Sequence, residues 1–401
     1  MVQNLRNKTL PYLSGRFFDG ISSGLFMMAL PWLMLSTPEM GTFVALIALA
    51  CTGLSFVLTP FFSTLIDRHS RKIILIGVQV VQAATAGIIF VAVWFGYSSN
   101  WLLAFAQLVF WVSSNLGWAT NNAFTQENYQ PEEYASISGK QEIIMQGTTL
   151  GAGALGVVLL EKWGIVDFAL FATLASSLAA ISYIVTPYQR QLRSNIAVDF
   201  LAQLKESKHI FVAQPHFYAF LMLSSLSYPV LTYLGKLIPI WFAEVGISGD
   251  WVAAYNIAFG LGSLLTGLLV SRLLKLSNPI NLILCSMSLT ALALIAMSLS
   301  FNPIYLILST LVFGFFNALN RIARTNWMHH SVPTEQRGRA DGGLAMFSTS
   351  VQSVSYVTIA LLSQYGYTRY GFTLAAIVLI SAVAVMYTLA KQKTLSEALA
   401  V

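Results

Sequence analysis

Few charged side chains interrupt the long apolar runs of this sequence, and those few are the groups with chemistry to offer. Asp67 stands among cations in the run Ser63-x-x-x-Asp67-Arg68-x-x-Arg71-Lys72. A carboxylate beside guanidinium groups forms forked, charge-assisted hydrogen bonds. Such a cluster can bias a two-state element; the plainer alternative is a solvated turn. Asp19 sits about nine residues into the first apolar run, with Arg16 on the same helical face. A carboxylate at that depth is expensive, so it is either a proton or substrate site or half of a self-satisfied pair with Arg16. Lys236 lies in the run Tyr233-Leu234-Gly235-Lys236-Leu237-Ile238-Pro239 with no acid within a helical turn. It either snorkels outward or meets an anion, which Asp19 or a bound substrate would supply. Glu142, with Gln146 one turn on, opens another apolar run, and Arg321 and Arg324 close one. Arg321 reads as an interfacial anchor or a pathway group.

These residues are carried by elements that composition identifies. Of 401 residues, 56% are apolar or aromatic and 9% are charged, whereas a soluble domain carries about a quarter charged residues. The apolar residues come in runs near the roughly 20 residues that a helix needs to cross hydrocarbon. The expected spans are 10–35, 41–63, 73–96, 101–124, 141–160, 166–187, 216–243, 250–271, 278–300, 303–325, 341–363 and 370–390. Placing the N-terminus inside leaves only Lys162 and Arg369 among the loop cations on the outer side, as the positive-inside rule requires. The net charge of +6 is therefore a membrane-orientation signal and not a nucleic-acid footprint. Cys51 and Cys285 both fall in apolar runs, without metal-ligand spacing, and read as buried structural thiols. The expected setting is a bacterial inner membrane, with both termini cytoplasmic.

The chain repeats itself. The motif from Ser63 to Lys72 returns as Gly267-x-x-x-Ser271-Arg272-x-x-Lys275, and Pro131-Glu132-Glu133 with Ser138-Gly139 returns as Pro333-Thr334-Glu335 with Asp341-Gly342. Two loops recurring at about half the chain length indicate parallel repeats. The expected domains are 1–187, a cytoplasmic linker over 188–215, and 216–401. In the linker, Phe200, Leu201, Leu204, Ile210 and Phe211 recur at helical spacing and predict a stretch lying on the membrane surface. The second copy has Ser271 where the first has Asp67.

With two six-span halves, a basic central linker and the Asp67 motif, the sequence resembles the major facilitator superfamily. The segment Pro131 to Gln141 is similar to the equivalent loop of the macrolide-efflux and enterobactin-exporter branch. Gly147-x-x-x-Gly151-Ala152-x-x-x-Gly156 resembles the antiporter motif of drug-exporting members. The resemblance implies an all-α membrane protein of facilitator fold, with about twelve transmembrane helices in two six-helix repeats. It implies that Asp67, Arg68 and Arg71 form a latch holding the outward-facing state. It also implies a pathway lined by spans 1, 4, 7 and 10, which makes Asn115, Asn122, Asn317 and Asn320 candidates beside Arg16, Asp19, Lys236, Glu142, Gln146 and Arg321. Among the aromatics, Trp32, Tyr228 and Tyr233 are candidates to stack on a ligand, and the adjacent His329 and His330 read as loop residues.

No phosphate-binding loop, dinucleotide fingerprint or nucleophile–base set accompanies these groups. The chain is not read as an enzyme, no cofactor or metal is expected, and transport energy would come from a gradient. The expected function is proton-coupled export of a small molecule by alternating access, with two halves rocking about a midplane site. The slight cationic excess leans the cargo toward an anionic or zwitterionic siderophore. A macrolide-like multidrug pump, an importer and a non-transporting receptor remain alternatives. The expected partners are the small-molecule substrate, protons and membrane lipid, and the chain is expected to act as a monomer.

Overall fold

The computed structural model describes residues 2–35, 41–189, 208–247, 250–299 and 302–392. The long elements are α1 (Val2–Leu35), α2 (Gly41–Arg68), α3 (Arg71–Trp94), α4 (Asn100–Asn128), α5 (Tyr134–Val185), α6 (Pro215–Ser225) and α7 (Ser227–Glu244). They continue with α8 (Asp250–Leu276), α9 (Pro279–Leu299), α10 (Pro303–Ser331), α11 (Arg337–Gln364) and α12 (Tyr370–Ala390). No strand occurs among the described residues. α5 is two helices joined at Gly164, whose φ of 74° costs a residue without Cβ little. α6 and α7 are one crossing interrupted at Leu226, so the elements amount to twelve helical rods. Among the described residues, ten stretches are long and apolar enough to cross a membrane; the other two rods are α1 and the first arm of α5.

The interruption at Leu226 has a local cause. Pro229 lacks an N–H and its ring crowds the carbonyl of Ser225. The Leu226 N–H turns instead to the Leu223 carbonyl at 3.2 Å. Asn317 and Asn320 of α10 brace the break: the Asn317 amide donates to the Ser227 carbonyl at 2.9 Å, and Asn320 to the Ser224 carbonyl at 2.9 Å.

Several helices run past the expected span ends. Ser63 to Arg68 lie in the last turns of α2, Ser271 to Lys275 in α8, and Asp341 in the first turn or so of α11, so these motifs are helix ends and not loops. His329 and His330 likewise sit in the last turn of α10. Polar residues near the water boundary can continue a helix, because its backbone hydrogen bonds are internal. Cys285 is exposed, in contrast to buried Cys51. An apolar run cannot tell these two apart, since the outer face of a span is as apolar as its packed face. The linker around Phe200, Leu201 and Leu204 lies outside the described residues, as does the side chain of Trp32.

The chain folds into two compact units. One comprises Met1–Tyr129, Gly147–Leu204 and Thr334–Gly342, the other Gln130–Gln146, Lys205–Pro333 and Gly343–Val401. Each unit thus includes one helix end from the opposite half of the sequence. In the first unit the core centres on Phe26, stacked on Phe110 at 4.7 Å and Phe168 at 5.8 Å. Ala169, Ala172 and Ser176 let α5 approach α1, where the Ser22 and Ser176 hydroxyls meet at 2.6 Å. Between helices in lipid, close packing of small residues does the work that water exclusion does elsewhere.

The second unit has a tighter crossing. A Cβ on Gly262 of α8 would meet the Leu311 carbonyl oxygen and, at 2.9 Å, the Phe315 nitrogen. One on Gly314 of α10 would meet the Phe259 carbonyl oxygen at 2.5 Å. Ser263 and Thr266 donate across the same seam to the carbonyls of Gly314, at 3.2 Å, and Phe315, at 2.7 Å. Gly262→Val is expected to cost about 1–3 kcal/mol, since backbone cannot rotate aside. A lowered melting temperature in detergent would register it; a parental melting curve would contradict this packing.

Candidate functional site

The first candidate site is built by helix ends. α2 ends at Arg68, two residues before α3 begins. Ser70 caps α3, accepting from the Ile73 N–H at 3.4 Å. This tight corner turns the Asp67 side chain toward the N-terminus of α11. The first N–H groups of a helix have no acceptor within it, and the helix dipole favours an anion there. Asp67 takes that place: Oδ1 accepts from the Gly338 N–H at 2.7 Å, and Oδ2 from the Arg339 N–H at 3.1 Å. The Arg339 Nε–H also donates to Oδ2 at 3.0 Å, and both side chains are almost wholly buried. Close approach depends on two glycines. A Cβ on Gly338 would lie 2.5 Å from the Ser63 carbonyl oxygen, and one on Gly342 would lie 2.6 Å from the Ser63 Cβ.

Arg71 is the pin beside this contact. Its guanidinium is fully buried, donating to the Ala123 carbonyl at 2.5 Å and the Thr334 carbonyl at 2.6 Å. Its Nε lies 3.5 Å from Glu127 Oε2, which accepts from the Tyr188 hydroxyl at 2.7 Å. Arg71 therefore ties α3, α4 and the residues leading into α11. Arg68 is half-buried at the end of α2. Lys72 donates to the carbonyls of Ile184 and Thr186, and Lys8 to that of Asn128, both at helix C-termini that favour cations.

The second unit repeats the contact with different chemistry. A Cβ on Gly139 of α5 would lie 2.8 Å from the Gly267 carbonyl oxygen of α8, and one on Gly267 would lie 3.1 Å from the Gly139 oxygen. This pair stands just over 200 residues from Ser63 and Gly342, as the internal repeat requires. The ion pair here is Glu142 with Arg321 of α10. Glu142 is 2% exposed, and its other oxygen accepts from Gln146 at 2.9 Å. Tyr134, at the start of α5, packs its ring 4.8 Å from His329 and 5.3 Å from His330.

The remaining candidates are dispersed. Arg16 donates to Asp19 at 3.0 Å within α1, and its guanidinium lies 5.8 Å from the Trp118 ring. Asn115 is exposed and donates to Ser55 at 3.0 Å, and Asn122 is half-buried. Asn317 and Asn320 are buried, with donors engaged at the Leu226 break. Lys236 and Gly147 are exposed, as is Tyr228, whereas Tyr233 is buried. Gly151 and Gly156 lie along α5, with surroundings outside the described residues.

Sequence reasoning singled out Asp67 but not its partner Arg339, counted only as an inward-facing cation. The signal was the recurrence of Pro131-Glu132-Glu133 as Pro333-Thr334-Glu335, which marks a helix start that could receive the carboxylate.

Twelve helical rods among the described residues, in two units, with Asp67 and Glu142 each held in an ion pair between helices, define a membrane transporter of facilitator type. The sequence profile of the Major Facilitator Superfamily matches residues 12–275 and 237–399, and the chain belongs to that family. It is 20% identical to macrolide efflux protein A of Streptococcus pyogenes over 302 residues, 73% of each chain. The corresponding protein of Enterococcus faecalis is 20% identical over 247 residues, 59% of this chain and 75% of that one. Among solved structures, a bacterial homologue of the iron transporter ferroportin superposes with TM-score 0.75 at 17% identity, covering 96% of this chain and 99% of that one. The human organic anion transporter MFSD10 gives TM-score 0.76 at 14% identity, covering 95% and 99%.

Proposed function

We propose that the protein is a secondary active exporter, exchanging protons for a small anionic or zwitterionic molecule by alternating access. The observation that carries the charge of the cargo is Lys236. Arg16 is paired with Asp19 and Arg321 with Glu142, whereas Lys236 is exposed and has no ion-pair partner among the described residues. One uncompensated cation at membrane depth is costly and favours an anionic cargo, for which a carboxylate-bearing siderophore is the leading chemistry. Asp19 is the proposed proton group, with Asn115 and Asn122 as polar groups of the pathway. Asp67, with Arg68 and Arg71, is the proposed latch. The proposed setting is a bacterial inner membrane with both ends in the cytoplasm, a reading that the inward bias of the loop cations supports.

A second cargo, a macrolide-like drug, is favoured by similarity to the macrolide efflux proteins. Secretion under iron limitation by a deletion strain, beside a drug-susceptibility panel, separates the two. Lost siderophore export supports the first cargo; normal siderophore in the medium with a narrowed drug spectrum supports the second. Direction and coupling follow from uptake into inverted vesicles under an imposed proton gradient. Parental protein should accumulate cargo only with the gradient, and Asp19→Asn should abolish that dependence. Unchanged coupling in Asp19→Asn would clear Asp19 of the role.

A further inference from the structure

We infer that the chain carries two ion-pair clasps, and that Glu142–Arg321 is the second, replacing the acid that the second repeat lost. The inference rests on the alternating-access reading and adds to it a gate that the family motif at Asp67 does not describe. α5 changes unit at Gly147: residues through Gln146 belong to the second unit and residues from Gly147 to the first. The arm before that point is docked on α8 by backbone approach at Gly139 and Gly267. In the equivalent contact of the first unit, α11 is docked on α2 by Gly342 at Ser63, and Asp67 one turn away fixes the arm. Position 271 should hold the matching carboxylate, but it is a serine.

Glu142 supplies the charge from the other side of the contact. It lies on the arm itself, three residues past Gly139, and reaches Arg321 of α10. The polarity is reversed: in the first clasp the arm brings the arginine, in the second it brings the acid. Arg16–Asp19 cannot act this way, since both lie on α1 and move together. Glu142–Arg321 joins residues 179 apart on two helices, so undocking the arm must break it. Gln146 orients the carboxylate from one turn further along the arm, and Met145 Sδ lies 3.8 Å from the same guanidinium. Gly147, with open space where a Cβ would be, sits where the helix leaves the docked arm.

Ser138 provides the reporter. Its hydroxyl is buried on the docked arm and has no hydrogen-bond partner among the described residues, so Ser138→Cys should be tolerated in a chain carrying Cys51→Ala and Cys285→Ala. In nanodiscs, maleimide labelling of that cysteine reads undocking without any cargo. Glu142→Gln and Arg321→Gln should each raise the labelling rate at least about tenfold, and the double variant no more than either single. Gly139→Ala, which disturbs the docking without touching the ion pair, should raise labelling as well. Unchanged rates in both single charge variants, or effects that multiply in the double, would overturn the second clasp. Because labelling needs no transport, the outcomes separate: cargo flux with flat labelling keeps the exporter and removes the clasp. The expected labelling pattern without flux does the reverse.

Discussion

Asp67→Asn should lose at least about nine-tenths of transport while still yielding folded protein, which melts below the parent. The substitution keeps shape and removes charge. Asp67 accepts three N–H groups on two oxygens, and one oxygen becomes a donor whichever way the amide is turned. A hydrogen bond to a charged group is worth about 1.5–3 kcal/mol, which displaces a two-state equilibrium by roughly 10- to 150-fold. Arg339, buried beside it, also loses its counter-charge. Removing one member of a buried pair costs about 3–5 kcal/mol, whereas removing both relieves the stranded charge. Asp67→Asn with Arg339→Gln should therefore melt closer to the parent than Asp67→Asn alone. Initial flux rates and detergent melting curves check both parts. Parental flux in the single variant would remove the latch.

Arg71→Ala should have the largest effect on folding. The guanidinium joins a carbonyl and a carboxylate of α4 to the Thr334 carbonyl ahead of α11. Its removal leaves the Glu127 carboxylate, 5% exposed, without its cation, again at about 3–5 kcal/mol. That is a large share of the 5–15 kcal/mol that typically separates folded from unfolded domains. Arg71→Lys should be intermediate, because a single ammonium cannot reproduce the planar fork. Yield of monodisperse protein and melting temperature are the readouts. An alanine variant with parental values would show that Arg71 pins nothing.

Much of the fold was legible in the residue order because spanning helices are written locally. A run such as Tyr370 to Ala390 carries no charged residue and is mostly apolar, and its ends fall where the hydropathy falls. The break at Leu226 was hidden in a continuous apolar run, where only Pro229 hinted at it. Helix ends were misplaced where polar residues continue the helix, as from Ser63 to Arg68. The candidate site was legible by residue type and not by partner. Asp67 stood out as an acid in a basic cluster, yet Arg339 lies 272 residues away and no local pattern joins them. Glu142 and Arg321 were both noted, but nothing in their spacing tied one to the other. The repeat came closest to supplying such links, since Gly139 with Gly267 and Ser63 with Gly342 answer each other across it.

The exchange of helix ends also bears on how this chain could be divided. A cut in the stretch between Tyr188 and Pro215 would separate the two sequence repeats cleanly, but it would leave each compact unit unfinished. The amino-terminal fragment would lack Thr334–Gly342, and the carboxy-terminal fragment would lack Gln130–Gln146. Asp67 would face water in place of a helix end, and Arg321 would lose Glu142. Such fragments are obligate complements and not independent domains: each carries in its own chain the piece that completes the other.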